Sequence, residues 1–354
     1  MSEISAAIGF NLIVISPTIA LVGTALVLLF FTITIESNEI VKKSITFLGM
    51  LITSFCVFLK FGLFFENGVS SYFTQKILLD EFSLFGNVLI SLILLFNFLP
   101  IWDSSKQLKE KTTEAIILTL MSASGFMLMV DSENLIMLFI GLEIGSISLY
   151  ALAGLNRGDK LSNEASLKYF LLGSLASCIL IYGVSLVYVS FSVFSVYNFA
   201  LGIAYVGPDS VPLTTSIGVL LIFIGLLFKI AAAPFQSWAP DVYQGSPTGY
   251  VGFMSSIAKV SSFIVIARLC LVSINFIIED FNIFFLIVII SSALIGSLFA
   301  SIQEDLKRLL AYSGVVQSGF ILSGIVSGIN GTSASMFYLF TYILQLIGIF
   351  IIFS

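Results

Sequence analysis

The sequence lacks histidine, has only three cysteines and carries few charges, and each shortage excludes a class of protein. Charged residues make up 10% of the 354 residues, against about 25% in an ordinary soluble domain. Without histidine, the commonest metal ligand and every Ser-His or Cys-His catalytic arrangement are absent. Cys56, Cys178 and Cys270 lie in apolar runs and are expected to form neither a disulfide nor a metal site. No basic arm or aromatic–basic pattern predicts binding to nucleic acid.

Apolar residues, by contrast, are abundant: 58% of the chain is hydrophobic and the mean hydropathy is +1.11. A membrane-spanning helix needs about 20 mostly apolar residues, and eleven segments meet that criterion. They cover roughly 9–34, 45–65, 81–101, 113–130, 134–154, 166–194, 212–234, 247–273, 281–302, 308–329 and 333–353. The connections are short, so the sequence predicts an all-α, polytopic transmembrane helix bundle. The N-terminus has no signal- or transit-peptide pattern, so the first helix is expected to remain in the protein.

Basic residues are distributed unequally between the predicted loops. The even-numbered loops and their edges contain only Lys76 and Arg268, whereas the odd-numbered loops contain nine Lys or Arg residues. The nine are Lys42, Lys43, Lys106, Lys109, Lys111, Arg157, Lys160, Lys307 and Arg308. By the positive-inside rule, the odd-numbered loops face the cytoplasm or matrix and the N-terminus faces the opposite side.

Several charges near the ends of spans are given structural roles. Lys60 lies near the end of the second span, and its ammonium is predicted to reach the lipid headgroups. Lys168 lies within one turn of a helix start, which fits either a boundary anchor or a bridge between buried charges. Asp241 is predicted to cap nearby backbone amides, and Lys307 and Arg308 are predicted to anchor the inner membrane surface.

Two lysines and one acid lie too deep for such roles. Lys259 is twelve residues after Pro247, or about 18 Å along a helix. Lys229 lies deep in its own span, and Glu143 is nine residues after Asn134. Charges at such depth cost about 2.5–3.5 kcal/mol or more and usually have a function and a partner. The sequence therefore predicts that Glu143 and Lys229 pair across two helices.

The stretch FKIAAAPFQSWAPDVYQGSP, residues 228–247, places a proline directly after one of these lysines. Pro234 has no N–H and collides with the carbonyl of Ile230, so the helix is predicted to break just beyond Lys229. Carbonyls freed in a membrane need protein or water to cover them. A broken helix, water and a buried lysine together predict a proton-handling site. The alternative is a simple proline kink beside a structurally paired lysine.

Four stretches resemble the antiporter-like membrane subunits of respiratory complex I, of the NADH dehydrogenase subunit 2 type. They are LFIGLEIGSISLYALAGLNR, NEASLKYFLLGSLASCILIYGVSLVY, GLLFKIAAAPFQSWAPDVYQGSPT and DLKRLLAYSGVVQSGF, and the likeness covers roughly residues 75–354. The resemblance implies an antiporter-like fold with inverted repeats and a broken seventh helix. It divides the chain into three N-terminal helices (1–110), a first five-helix repeat (111–273) and an incomplete second repeat (274–354).

Functional residues carry over by their place in these motifs. Glu143 matches the family's acid in the fifth helix, Lys229 the lysine of the broken seventh helix, and Lys259 the central lysine of the eighth. Lys168 falls where the family has a lysine that bridges neighbouring charge pairs. The resemblance implies that Glu143 tunes Lys229 and that protons move through water towards Lys259.

The chain departs from the family pattern in three places. Gln236 and Gln317 stand where the family commonly has histidine; a glutamine carries no proton but can orient water. The family fold has fourteen helices, with a further lysine in a broken twelfth helix, whereas this sequence stops after the eleventh. The expectation is that a separate polypeptide supplies the remainder or that the exit half has been lost.

The resemblance implies a subunit of NADH:ubiquinone oxidoreductase that translocates protons. NADH, FMN, iron–sulfur clusters and ubiquinone are then expected in other subunits, with no cofactor in this chain. Expected partners are the other membrane-arm subunits and lipids, in the mitochondrial inner membrane or, alternatively, a bacterial plasma membrane. The mitochondrial location would place the N-terminus on the intermembrane-space side. A non-pumping scaffold of the same complex and a subunit of a related cation/proton antiporter remain open alternatives.

Overall fold

The computed structural model describes residues 2–34, 39–107, 112–207, 210–273 and 281–353. The first half contains α1 (Ser2–Thr34), α2 (Glu39–Asn67), β1 (Ser70–Tyr72), β2 (Ile77–Leu79), α3 (Glu81–Gln107), α4 (Thr112–Asp131) and α5 (Leu135–Ala153). The second half contains α6 (Lys160–Phe191), α7 (Val196–Val206), α8 (Leu213–Lys229), α9 (Trp238–Gly245), α10 (Thr248–Arg268), α11 (Asn282–Ser301), α12 (Leu306–Val326) and α13 (Ile329–Phe353). A π-helical turn, Leu269–Ser273, continues α10.

Ten helices in the described part of the chain are long and apolar enough to cross a membrane. They coincide with ten of the eleven predicted spans. The remaining one, predicted over 212–234, is interrupted: α8 ends at Lys229 and α9 begins at Trp238. The structure thus confirms a multi-pass bundle of about eleven segments with a broken seventh one.

Two elements on one face of the bundle escaped the sequence prediction, and the chain is not purely α-helical. Strands β1 and β2 form an antiparallel hairpin of only three residues per strand, too short for a pattern to reveal. Helix α7 has 11 residues and is likewise too short to meet the spanning criterion. Isolated β-bridges pair Ile77 with Ser132 and Asn134 with Ser195, so the hairpin, the α4–α5 link and the start of α7 form one cap.

The charge count that predicted sidedness needs one correction. Arg268 was assigned to a loop edge, but its side chain is 3% exposed and lies inside the bundle. A buried guanidinium does not act as an interfacial charge, so only Lys76 remains on the even-numbered side. Lys109 and Lys111 lie outside the described residues. The direction of insertion stays a prediction.

Helix α10 forms the centre of the bundle, because every residue from Gly249 to Arg268 is buried. It packs against α3, α4 and α13. Beside it, α4 and α5 approach closely at glycines: a Cβ on Gly125 would lie 2.4 Å from the Gly145 nitrogen, and one on Gly141 2.5 Å from the Met129 nitrogen. This packing places Lys259 of α10 and Glu143 of α5 within the membrane interior. The predicted boundaries of the two repeats stay a prediction.

Candidate proton-handling site

The helix break lies where the sequence predicted it. Helix α8 ends at Lys229, and the chain is non-helical until α9 begins at Trp238. Ala231 adopts a left-handed backbone conformation with φ of 55°, unusual for a residue other than glycine. Pro234 itself is exposed on the outside of the bundle. The missing N–H of proline therefore ends the helix without placing the ring in the core.

Side chains from the following helices satisfy the backbone that the break frees. The Ser318 hydroxyl on α12 donates to the carbonyl of Ile230 at 2.8 Å. On α11, the Ser291 hydroxyl donates to the carbonyl of Ala233 at 3.3 Å, and the Ser292 hydroxyl accepts from the Ala233 nitrogen at 2.9 Å. Protein hydroxyls thus cover these polar groups, as burial in a membrane requires.

Lys229 is the last residue of α8 and is only 2% exposed. Its Nζ donates to the Ser146 hydroxyl at 3.0 Å and to the Tyr150 hydroxyl at 2.8 Å, both on α5. The same nitrogen lies 5.3 Å from the centre of the Tyr150 ring. The sequence correctly predicted that Lys229 faces α5, the helix that carries Glu143. It did not predict the contacts with the Ser146 and Tyr150 hydroxyls, although both residues follow Glu143 on that helix.

The predicted direct pair between Lys229 and Glu143 is wrong. No salt bridge within 4.0 Å joins the two residues, both of which the structure describes. Ser146 and Tyr150 follow Glu143 by three and seven positions, so they lie about 4.5 and 10.5 Å further along α5. The Lys229 ammonium therefore lies beside Ser146 and Tyr150, further along α5 than Glu143. The Glu143 Oε1 is buried without a hydrogen-bond partner.

Lys259 lies in the middle of α10 with 3% of its surface exposed. Its Nζ donates to the carbonyl of Gly314 on α12 at 2.9 Å and to the Tyr342 hydroxyl on α13 at 3.3 Å. A Cβ on Gly314 would lie 2.3 Å from this nitrogen, so the glycine provides the space that the ammonium occupies. The two deep lysines thus share a pattern: each ammonium is held by neutral oxygen atoms instead of a carboxylate.

Lys168 lies at the edge of the bundle rather than in its interior. Its Nζ is 2.7 Å from the carboxylates of both Glu164 and Asp241, and its side chain is 39% exposed. Asp241 also accepts from Arg308 at 2.6 Å, so its predicted role as a backbone cap is wrong. Burial opposes the ionisation of Asp241, but the hydrogen bonds from Lys168 and Arg308 outweigh it and lower the pKa of its carboxyl. This network joins α6, α9 and α12 at the end of the break.

The predicted inner-surface anchors make specific contacts with the protein. Lys307 donates to the carbonyl of Ser246 at 2.8 Å. Arg308 donates to the side-chain oxygen atoms of Gln244 and Gln303 in addition to Asp241. Both basic residues therefore fasten the α9–α10 segment to α12, a role that a count of loop charges does not reveal.

The two glutamines that replace histidines differ in their surroundings. Gln236, in the non-helical segment, has a buried side-chain oxygen without a hydrogen-bond partner. Gln317 accepts a hydrogen bond from the Tyr338 hydroxyl on α13. Only Gln236 thus presents an open acceptor at the break. The part of the chain that the structure describes contains no group of three or more acidic or cysteine residues arranged to hold a metal ion.

Lys60 is the largest error of the sequence prediction. The side chain is fully buried, and its Nζ forms an ion pair with Asp131 of α4 at 2.7 Å instead of reaching the headgroups. The second Asp131 oxygen accepts from the Asn87 side chain at 2.6 Å. One feature of the sequence could have indicated this pair: Asp131 is an acid at the end of an apolar run, and such an acid needs a partner.

Arg268 and Asp80 form a second buried pair that sequence reasoning missed. The guanidinium binds both carboxylate oxygens of Asp80, at 2.6 and 2.9 Å. It also donates to the carbonyls of Val130 and Ser132, on either side of Asp131. A bidentate contact of this kind fixes geometry as well as charge. The two pairs therefore form one group of four buried charges on the face that carries the hairpin.

Comparison with known proteins matches this chain to one family. The family model described as "NADH:quinone oxidoreductase/Mrp antiporter, TM" matches residues 132–354. The chain is 38% identical over 284 residues to NADH-quinone oxidoreductase subunit N of Trichlorobacter lovleyi, covering 79% of this chain and 58% of the relative. The chain thus spans less than two thirds of that relative's length.

Solved structures give the same result. A chain of respiratory complex I from Thermus thermophilus with bound aureothin superposes with a TM-score of 0.78 at 27% identity, covering 96% of this chain and 70% of that one. A chain of the Mrp complex from a Dietzia species superposes with a TM-score of 0.82 at 19% identity, covering 95% and 63%, which shows a shared fold alone. This chain belongs to the NADH:quinone oxidoreductase/Mrp antiporter family of membrane subunits.

Proposed function

We propose that this chain is a membrane-arm subunit of NADH:quinone oxidoreductase and moves protons along Glu143, Lys229 and Lys259. The carrying observation is that both deep lysines, 2% and 3% exposed, have only neutral hydrogen-bond partners among the described residues. A buried ammonium without a contacting carboxylate is expensive to keep charged. Each lysine is therefore suited to gain and lose a proton as its surroundings change.

Glu143 is the proposed electrostatic control on Lys229. Its carboxylate does not touch the ammonium, yet it lies on the same helix as the two hydroxyls that bind it. In a medium of low dielectric constant, a charge acts strongly over several ångströms. Neutralising or moving Glu143 would therefore favour proton release from Lys229 without breaking a hydrogen bond.

Lys168 and Gln236 have supporting roles in this proposal. Lys168 holds α9 through Asp241 and leaves part of its surface exposed, so it can also face a neighbouring subunit. The open Gln236 oxygen can orient a water molecule at the break. Gln317 is engaged by Tyr338, and its proposed water-orienting role requires that contact to open.

The proposal assigns all redox chemistry to partners. NADH, FMN, iron–sulfur clusters and the quinone would bind to other subunits, and this chain would contact the neighbouring membrane-arm subunits and lipids. The reported relative is bacterial, which favours a bacterial plasma membrane over the mitochondrial inner membrane as the location. The proposed orientation places the end of α9 and the start of α10 on the side that carries most of the basic loops.

Proton uptake by vesicles that contain the purified, reconstituted complex tests this function. Lys229→Ala and Glu143→Ala should lower quinone-coupled proton uptake more than they lower assembly, whereas Lys160→Ala, which changes an exposed lysine, should leave it unchanged. Full uptake in either deep variant would contradict the proposal.

Two further results would distinguish the alternatives. An unchanged number of protons moved per NADH in Lys259→Met would favour a scaffold that pumps nothing. The identity of the co-purifying subunits, including any separate polypeptide that completes the fold, would separate a complex I subunit from a cation/proton antiporter subunit.

A further inference from the structure

The four buried charges on the hairpin face have no role in the proposed function described so far. Lys60 and Asp131 form one pair, and Arg268 and Asp80 form the other. The four residues come from α2, α4, the end of α10 and the turn before α3. Helix α10 runs from the end of α9 to this face, and its 21 residues span about 31 Å. The group therefore lies at the opposite end of α10 from α9.

A cavity of about 610 Å³ adjoins this group. Asp80, Arg268 and Glu133 contribute to its wall, together with residues of the hairpin and α7. Glu133 is 4% exposed, and its Oε1 accepts from the Ser195 hydroxyl at 2.6 Å. Its Oε2 is buried and has no hydrogen-bond partner. A buried, half-satisfied carboxylate at a cavity wall is an unusual feature in need of a physical reason.

Charge balance supplies such a reason. The two ion pairs are neutral as a set, so an ionised Glu133 would add an uncompensated negative charge to a buried group. Burying an unpaired charge costs several kcal/mol or more. The set becomes neutral when one of its acids carries a proton. Both oxygens of Asp80 and Asp131 already accept hydrogen bonds, which leaves the Glu133 Oε2 as the open position.

We propose that Glu133 is a proton-exchange site at this cavity and forms the end of the proton route on the hairpin face. This inference rests on the proton-translocating function proposed above. The donor is the Lys259 ammonium, which becomes a neutral amine, and the acceptor is the Glu133 carboxylate, which becomes a carboxylic acid. Intervening water relays the proton, and Glu133 then releases it to water in the cavity and returns to the carboxylate.

Arg268 is a positioning residue in this arrangement. Its guanidinium donates to the carbonyl of Val130 at the end of α4 and to that of Ser132, directly before Glu133, while Asp80 holds it in place. Arg268 follows Lys259 by nine positions on α10, or about 13.5 Å. One rigid helix therefore connects the deep lysine with the turn that carries the carboxylate.

The test measures proton uptake by vesicles that contain the complete complex. The complex carries either the unaltered chain or one of four variants of it. Lys259→Met defines the share of uptake that depends on the deep lysine. Glu133→Gln should remove the same share, whereas Glu133→Asp, which retains a carboxyl, should keep most of it. Glu81→Gln is the matched control, because Glu81 lines the same cavity but is exposed and should be dispensable.

The outcomes separate this inference from the function on which it rests. If Lys259→Met removes uptake but Glu133→Gln leaves it intact, the inference is wrong and the proposed function stands. If neither variant changes proton uptake, the inference and the proposed function are both wrong. A measurement on the unaltered complex guards against variants that do not assemble: a hydrophobic carbodiimide, which reacts with protonated carboxyls, should label Glu133. The absence of label on Glu133 would overturn the inference.

Discussion

Replacing Lys60 with methionine tests the buried ion pair most directly. In Lys60→Met, Asp131 keeps its hydrogen bond from Asn87 but loses the ammonium that lies 2.7 Å from its other oxygen. The lysine side chain is fully buried and that of Asp131 is 2% exposed, so water cannot replace the lost partner. Methionine fills nearly the same space as the lysine stem, so lost packing contributes little to the effect.

The expected loss of stability in Lys60→Met follows from the free-energy cost of an unpaired buried charge. Removing one member of a buried ion pair typically destabilises a protein by about 3–5 kcal/mol. Replacing both members with apolar residues is often close to neutral, since the cost of burying both charges disappears as well. The double variant Lys60→Met/Asp131→Leu should therefore recover most of the stability that the single variant loses.

Chemical unfolding of the purified protein in detergent micelles measures these differences. Lys76→Met is the matched control, because Lys76 is exposed in the hairpin on the same face of the bundle and should change little. If Lys60→Met unfolded at the same denaturant concentration as the wild type, the ammonium would be reaching the headgroups. The reasoning from the buried pair would then be refuted.

Two further predictions concern the deep lysine and the network at the break. Gly314→Ala places a methyl group 2.3 Å from the Lys259 Nζ and should displace the ammonium from its carbonyl. The substitution should lower the free energy of unfolding by about 1.5–3 kcal/mol and reduce proton uptake. Gly348→Ala, at an open position, is the control, and equal proton uptake in the two variants would contradict this prediction. Because the folded pKa of Asp241 is lowered, its stabilising effect should be complete above pH about 4 and fade in more acidic solution. In thermal unfolding, the melting temperature of the wild type should exceed that of Asp241→Asn at neutral pH and equal it in acid. A difference in melting temperature that is independent of pH would argue against the network.

Sequence reasoning located the deep residues well because depth in a membrane is a one-dimensional property. The distance of Lys259 from the start of its helix follows from counting residues, and so does the break that Pro234 causes. Both predictions needed only the helical rise and the geometry of proline. The resemblance to a known family then added the roles of the charged residues.

Pairings were harder to predict because they depend on rotation and register between helices. Lys229 binds hydroxyls on the predicted partner helix, yet at a level different from that of Glu143. Lys60 lies near a helix end, where snorkelling is the usual outcome, but α4 brings Asp131 beside it from 71 positions away. Nothing in the local sequence around Lys60 encodes that approach.

The serine contacts at the helix break have a consequence for how the protein is made. Ser291, Ser292 and Ser318 come from α11 and α12, which are synthesised after the break that they satisfy. Until those two helices have inserted, the carbonyls of Ile230 and Ala233 lack these hydroxyl donors and must remain hydrated. The interrupted segment is therefore expected to settle into the bilayer late during translation, and nascent chains halted after α10 should remain accessible to protease there.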